Sequence, residues 1–263
     1  MKSGMADINK DDWQAPHRQS AIARKLLAYA ELPDDDLAAL AALQGNRRTV
    51  EAGEEIPHRD NDRKYSAFLL TSGWVCSYKL LRDGSRQIID FRIPGDFLRL
   101  RSFMLQTSGS SLEAITRVEL IEFATGNLLR TLGERPRLAA ALLWSASRDE
   151  AAIVEHLIDI GRRSALVRTA HFLLELRLRL QLVGLATPSG YDCPLSQYLL
   201  GDALGLSAIH LNRILRKLRE SGLVTFRKGT VTFNNLSALM ELAEFDRDYL
   251  DQGRPRLPKP QNG

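Results

Sequence analysis

The side chains with the clearest capacity for chemistry stand close together near residue 210. Ile209, His210, Asn212, Arg213, Arg216 and Lys217, with the small Ala208, recur at spacings that put them on the outer side of one α-helix. Leu211, Ile214, Leu215 and Leu218 form the stripe opposite. Such a helix buries its leucines and turns amide, imidazole and guanidinium groups outward. Those groups hydrogen-bond base edges and neutralise phosphates, and at the start of a recognition helix they suit the major groove of double-stranded DNA.

The flanking sequence supplies what would hold that helix. Ser196 is a good N-cap for a preceding helix that places Leu200 and Leu204 inward, with the small Gly201 where a second helix must cross closely. Gly205 permits the turn, Leu206 fills the core behind it, and Ser207 caps the second helix. After Gly222, residues 225–230 and 231–233 read as a two-stranded wing turning near Lys228 and Gly229, with a basic tip suited to a phosphate backbone. The candidate DNA-binding set is therefore Ser196, Gln197, Ser207, Ala208, Ile209, His210, Asn212, Arg213, Arg216, Lys217 and Lys228. A helical hairpin with a solvated charged face is the competing reading; it leaves the glycine, cap and wing in sequence unexplained.

Composition narrows the alternatives. The 263 residues are 44% apolar and 26% charged, ordinary for a globular chain with room for two cores. Net charge is +4, unevenly placed: residues 161–263 hold 15 Lys and Arg against 9 Asp and Glu, whereas the first 160 hold 21 against 23. A basic C-terminal third beside a near-neutral remainder suits a polyanion-binding module joined to something else. Two cysteines, Cys76 and Cys193, cannot build a disulfide framework or a four-cysteine metal site. The five histidines, His17, His58, His156, His171 and His210, show no metal-ligand spacing and are read as surface or packing residues. No catalytic residue, metal or cofactor is expected. No apolar stretch approaches the roughly 20 residues that span a bilayer, and the N-terminus lacks the apolar core of a secretory signal, so the expected location is the cytoplasm.

Upstream, residues 22–30 and 34–43 carry helical patterns, the second opened by Pro33 and three aspartates that face the positive end of a helix dipole. Between Thr49 and Phe123 the pattern changes to short β-rich runs, 67–70, 74–81, 87–93 and 118–123, with Asp83 and Gly84 marking a hairpin turn. Many short strands imply a small antiparallel barrel or jelly roll. After Pro136 a long helix pattern runs to about residue 163. Ala139, Leu143, Ala146, Glu150, Ile153, Leu157 and Ile160 alternate spacings of four and three, the seam of a coiled coil. A helix buried against its own domain is the alternative. A two-chain seam fits better because Leu138, Leu142 and Ala152 form a second stripe able to cover the barrel, which makes Ala146, Ile153, Leu157 and Ile160 the candidate dimer interface. Cys76, within an apolar strand, is expected to be a buried, inert thiol.

The order of these parts resembles the CRP/FNR superfamily of bacterial transcription regulators, from about Leu32 to Phe245. The strongest matches are Pro94-Gly95-Asp96-Phe97 and the stretch 202–224, DALGLSAIHLNRILRKLRESGLV. The resemblance implies an α+β chain with an N-terminal antiparallel β-roll, jelly-roll-like, then a long dimerisation helix and a C-terminal winged helix-turn-helix. The implied divisions are a disordered tail at 1–20, a β-roll sensor at 21–135, the dimerisation helix at 136–163, the DNA-binding domain at 164–250 and a disordered tail at 251–263. It further implies a homodimer on a palindromic operator, contact with RNA polymerase if the protein activates, and an effector of unknown identity. Arg213 aligns with the family's guanine-reading arginine. A glutamate common near Ile209 and His210 is absent, so the operator is expected to differ from those of relatives that carry it.

Cyclic-nucleotide-binding members place a glutamate on the ribose and an arginine on the cyclic phosphate. The corresponding positions here are Leu100 and either Ser108 or Ser110. An anionic phosphate without that arginine loses a charge-assisted contact of roughly 1.5–3 kcal/mol. Arg99 and Arg101 are expected to share a solvated strand face rather than replace it. The N-terminal tail has no cysteine for the iron–sulfur cluster of oxygen-sensing relatives. A cyclic-nucleotide-responsive regulator with a non-standard pocket is one alternative. A cupin-like metal enzyme is a remote one, since His58 is the sole histidine between residues 18 and 155.

Overall fold

The computed structural model describes residues 18–43, 45–57, 67–100, 110–123, 125–246 and 248–250. Of the two expected tails, residues 1–17 and 251–263 therefore lie outside the described residues. Helix α1 (Ala21–Leu27) is capped by Ser20, whose hydroxyl accepts from the Ala23 amide at 3.3 Å. Helix α2 (Asp34–Ala42) starts after Pro33, which stands at the cap position in an extended conformation.

Seven strands follow: β1 (Arg47–Val50), β2 (Ala67–Ser72), β3 (Val75–Leu80), β4 (Arg86–Arg92), β5 (Phe97–Leu98), β6 (Ser111–Ala114) and β7 (Val118–Phe123). They form two antiparallel sheets, in the orders β1-β7-β2-β5 and β4-β3-β6. The β3–β4 turn uses Gly84 at φ +83°, and the Asp83 carboxylate accepts from the Ser85 amide at 2.9 Å. The core between the sheets holds Phe68, Leu70, Val75, Leu98, Leu112, Val118 and Leu120.

Both sheets are covered on their outer faces as well, which accounts for near-continuous apolar runs such as Ala67 to Leu70. Leu69, Ile121 and Phe123 turn outward onto α1, α2 and the two helices that follow, α3 (Thr125–Glu134) and α4 (Pro136–Gly161). Trp74, Cys76, Ile88, Phe91 and Ile93 turn outward onto the C-terminal part of the chain. Cys76 is thus fully buried, and burial pushes its thiol up to about 11. Strands β1, β5 and β6 and helix α3 were not anticipated as elements. Thr-Gly-Asn opens α3 and Gly133 stands near its end, so neither glycine nor cap marks it from outside.

Helix α4 spans 26 residues with Pro136 in its first turn, where a missing N–H costs nothing. Leu138, Ala141, Leu142, Ser145, Ala152 and Asp159 are buried on its inner side. On the outer side Ala146 is exposed, and so are Leu143 (70%), Ile153, Leu157 (72%) and Ile160. The chain turns at Arg162 and Arg163, and Ser164 caps helix α5 (Ala165–Leu182) by accepting from the Val167 amide at 3.3 Å.

One expectation in the roll fails. Strand β5 ends at Leu98, and Arg99 leaves it in the left-handed region at φ +61° with its side chain buried rather than solvated. Its guanidinium donates to the Ile56 carbonyl and, at 3.5 Å, to that of Ser110. Burial, only partly offset by Glu55, lowers its pKa to about 10. Arg101 and Ser108 lie outside the described residues. Leu100 is half-buried against the helices that cover the roll, and the Ser110 hydroxyl pairs with that of Ser77 at 2.8 Å.

Candidate nucleic-acid interface

The C-terminal part continues with β8 (Ala186–Thr187), β9 (Gly190–Asp192), α6 (Gln197–Leu204), α7 (Ala208–Glu220), β10 (Val224–Arg227), β11 (Thr230–Phe233) and α8 (Leu236–Leu242). Ser196 caps α6, its hydroxyl accepting from the Leu199 amide at 3.2 Å. The helix stops at Gly205, whose φ of +60° and ψ of +41° an L side chain rarely adopts. The Leu206 amide then donates to the Gly201 carbonyl at 2.9 Å. A Cβ at Gly201 would lie 2.5 Å from the Leu206 carbonyl oxygen, so the turn closes only over glycine. Ser207 restarts the helix by accepting from the His210 amide at 3.2 Å.

Helix α7 packs on α5 and α6 through Leu211, Leu215 and Leu218, all buried, with Ile214 partly so. Its outer side presents Ile209, His210, Asn212, Arg213, Arg216 and Lys217, each exposed, and Ala208 is half-buried beside the turn. Ser196, Gln197 and Ser207 are exposed at the starts of the two helices. The structure thus brings the sequence-derived residues of α6 and α7 together on one surface. Glu220 is the acidic group that approaches it, 3.9 Å from Arg216, with both side chains more than half exposed; such a pair is worth little.

The wing is better anchored than a lone hairpin. Strands β10 and β11 pair in the register Val224↔Phe233 to Arg227↔Thr230, and the connecting Lys228 and Gly229 stand at φ +51° and +78°. Two successive positive φ values make this a tight turn of the primed kind, matched to strand twist. Lys228 is exposed at its tip. The sequence reading missed β8 and β9, which extend the sheet to the order β10-β11-β9-β8. Gly190 makes the contact possible, because a Cβ there would meet the Val231 carbonyl oxygen at 2.1 Å.

Sequence reasoning also missed what seats this module on the roll. Arg86 at the start of β4 reaches Asp202 of α6 at 2.8 Å and Glu113 of β6 at 3.2 Å. The side-chain Nε2 of Gln87 donates to the Asp202 carbonyl at 3.0 Å, one of the end-of-helix carbonyls that α6 cannot satisfy itself. Deeper in the junction lies a buried charge cluster. Arg179 of α5 meets Asp90 and Asp96 at 3.2 Å each and Glu175 at 3.5 Å, and donates to the Phe91 carbonyl at 2.6 Å. Lys25 of α1 meets Asp96 at 2.6 Å and Asp149 of α4 at 3.5 Å, and Arg92 meets Asp149 at 2.5 Å and Asp90 at 2.9 Å.

His156 of α4 lies 3.1 Å from Glu175, and His171 of α5 lies 3.1 Å from Asp159. Burial by itself would lower the His156 pKa, but the Glu175 carboxylate reverses the shift and raises it to about 9. Burial would likewise raise Glu175, and His156 followed by Arg179 brings it down to about 2. His156 is therefore a member of an ionic junction, and His171 is buried beside it against Asp159. No sequence signal marks these partners, which stand up to 124 residues apart.

Residues 167–242 match a family model described as the Crp-like helix-turn-helix domain, and residues 47–135 match the cyclic nucleotide-binding domain. The nitrogen fixation regulation protein FixK of Bradyrhizobium diazoefficiens is 31% identical over 76% of this chain and 82% of its own length. The fumarate and nitrate reduction regulatory protein of Vibrio cholerae is 23% identical over 89% of this chain and 93% of its own. Among solved structures, FixK2 from Bradyrhizobium japonicum superposes with a TM-score of 0.63 at 29% identity, covering 75% of this chain and 96% of that one.

Proposed function

Because the chain belongs to the CRP/FNR family of transcription regulators, whose members are not enzymes, we propose that it acts as a homodimer setting two copies of α7 into successive major grooves of a palindromic operator. The observation that carries this reading is the outer side of α7, where Asn212, Arg213, Arg216 and Lys217 stand exposed over a leucine stripe that is fully packed. Arg213, in the helix's second turn, reads a base. Arg216 and Lys217, further along, hold phosphates, and Lys228 at the wing tip, with Ser196, Gln197 and Ser207 at the helix starts, fixes the register on the backbone.

The dimer forms through α4. An apolar stripe that includes Leu143, Ile153, Leu157 and Ile160 is exposed along one side of a 26-residue helix, and heptad spacing suits it to a second copy of itself. Residues 21–135 sense, 136–163 join the protomers and 164–250 read DNA. With Leu100 where relatives carry the ribose-binding glutamate, and Arg99 tied to the Ile56 carbonyl, the roll is poorly suited to cyclic AMP. The regulator works in the cytoplasm, and contacts RNA polymerase if it activates; among the described residues no helix is long and apolar enough to cross a membrane.

Selection of bound sequences from a random duplex pool tests the reading. An inverted repeat with half-site centres about one helical turn, roughly 34 Å, apart is expected. Recovery of no inverted repeat overturns the symmetric regulator.

A further inference from the structure

Ile209 does not fit the chemistry of its neighbours. It is 70% exposed in the first turn of α7, one position after Ala208 and two after the capping Ser207. It shares its side of the helix with Asn212 and Arg213, three and four residues on, and faces away from Leu211, Leu215 and Leu218. Among the described residues nothing covers this branched aliphatic group, and it has no donor or acceptor for a phosphate.

Resting on the DNA-binding reading above, we infer that Ile209 is a specificity-determining residue that demands a thymine in each half-site by packing on its C5 methyl group. First-turn residues of a recognition helix are the ones that reach base edges. On those edges the major groove offers hydrogen-bonding groups at every base pair and a single apolar feature, the thymine methyl. Opposite an aliphatic side chain, cytosine or guanine leaves a polar edge stripped of water with no partner, so both are rejected. Arg213 suits O6 and N7 of a guanine and Asn212 suits N6 and N7 of an adenine. The half-site should therefore combine one thymine read by its methyl with purines read by hydrogen bonds.

The test takes the full-length protein and its selected operator, replacing each thymine in turn by deoxyuridine, which removes the methyl group and nothing else from the groove. One symmetric position should lose about fourfold in affinity per half-site and about fifteenfold when both half-sites are changed. Ile209→Ala should erase that uracil penalty while keeping the guanine preference of Arg213. Because Ile209 is exposed, the variant is expected to fold. Ile209→Glu should exchange the thymine for cytosine, whose N4 amino group a carboxylate accepts. Indifference of the wild type to uracil at every position, or a penalty that survives in Ile209→Ala, overturns this inference while an inverted repeat leaves the regulator reading in place. Absence of any inverted repeat overturns both.

Discussion

Replacing Arg179 by methionine should release the DNA-binding module from the roll. The guanidinium is buried among Asp90, Asp96 and Glu175, and it also satisfies the Phe91 carbonyl. Around it the cations Lys25, Arg92, Arg179 and His156 balance the anions Asp90, Asp96, Asp149 and Glu175. Methionine keeps much of the length and loses the charge, leaving one buried carboxylate uncompensated, a change that costs about 3–5 kcal/mol. That is a large part of the roughly 5–15 kcal/mol by which a domain is stable. Urea unfolding followed separately by tryptophan fluorescence, to which Trp74 of the roll and Trp144 of α4 contribute, and by DNA binding should show two transitions in place of one. Asp90→Asn added to Arg179→Met should recover part of the loss by restoring neutrality. Arg216→Met, which removes an exposed guanidinium from a weak pair, should change stability by less than about 1 kcal/mol. A single coincident transition for Arg179→Met, shifted by less than about 1 kcal/mol, would refute the claim that these charges hold the junction.

The exposed stripe on α4 predicts that Ile153→Asp with Leu157→Asp yields monomers in sedimentation; a double variant that stays dimeric places the interface elsewhere. Arg213→Ala should cost about 1–3 kcal/mol and relax one symmetric position, whereas Lys217→Ala should weaken all sequences alike and flatten the salt dependence of titrations. The His156 pKa is raised from 6.5 to about 9, so its contribution is complete below pH 6.5 and disappears as pH rises through 9; Glu175, lowered from 4.5 to about 2, contributes above pH 4.5 and fails as pH falls through 2. Urea stability should accordingly fall by on the order of 2–3 kcal/mol between pH 6.5 and 9.5 as His156 deprotonates, a limb that His156→Gln should lack. Isothermal titration with millimolar cyclic AMP should give no saturable heat, and saturable binding that sharpens DNA affinity would show that the roll answers to it after all.

The reading helix and its support were legible because their signals are local. Two serine caps, a left-handed glycine and leucines at helical spacing each act within a few residues of the feature they specify, and Ser196, Gly205 and Ser207 stand where that logic puts them. Helix α3, with a glycine near each end, and strand β6, Ser-Leu-Glu-Ala, have no such local signature and form because Leu128 and Leu112 find cores already built. Arg99 was misread for a similar reason. Whether it continues a strand depends on the Ile56 carbonyl, 43 positions away, and alternation along the chain cannot report that. The junction is the extreme case: Lys25 of α1, residue pairs from β4, α4 and α5, and Asp96 from the turn before β5 become an ionic cluster only when those parts of the chain meet.

The sheet β4-β3-β6 has its outward apolar face, with Trp74, Ile88 and Phe91, covered by residues such as Phe172, which stand far later in the chain. At about 5–20 residues per second of synthesis, that face waits several seconds or more for its cover. A nascent roll therefore leaves the ribosome sticky, and its yield in the cell should depend on chaperones more than the stability of the finished protein suggests. The same timing argues that a roll cut from its reader and fused to another protein would aggregate unless Trp74, Ile88 and Phe91 were first made polar.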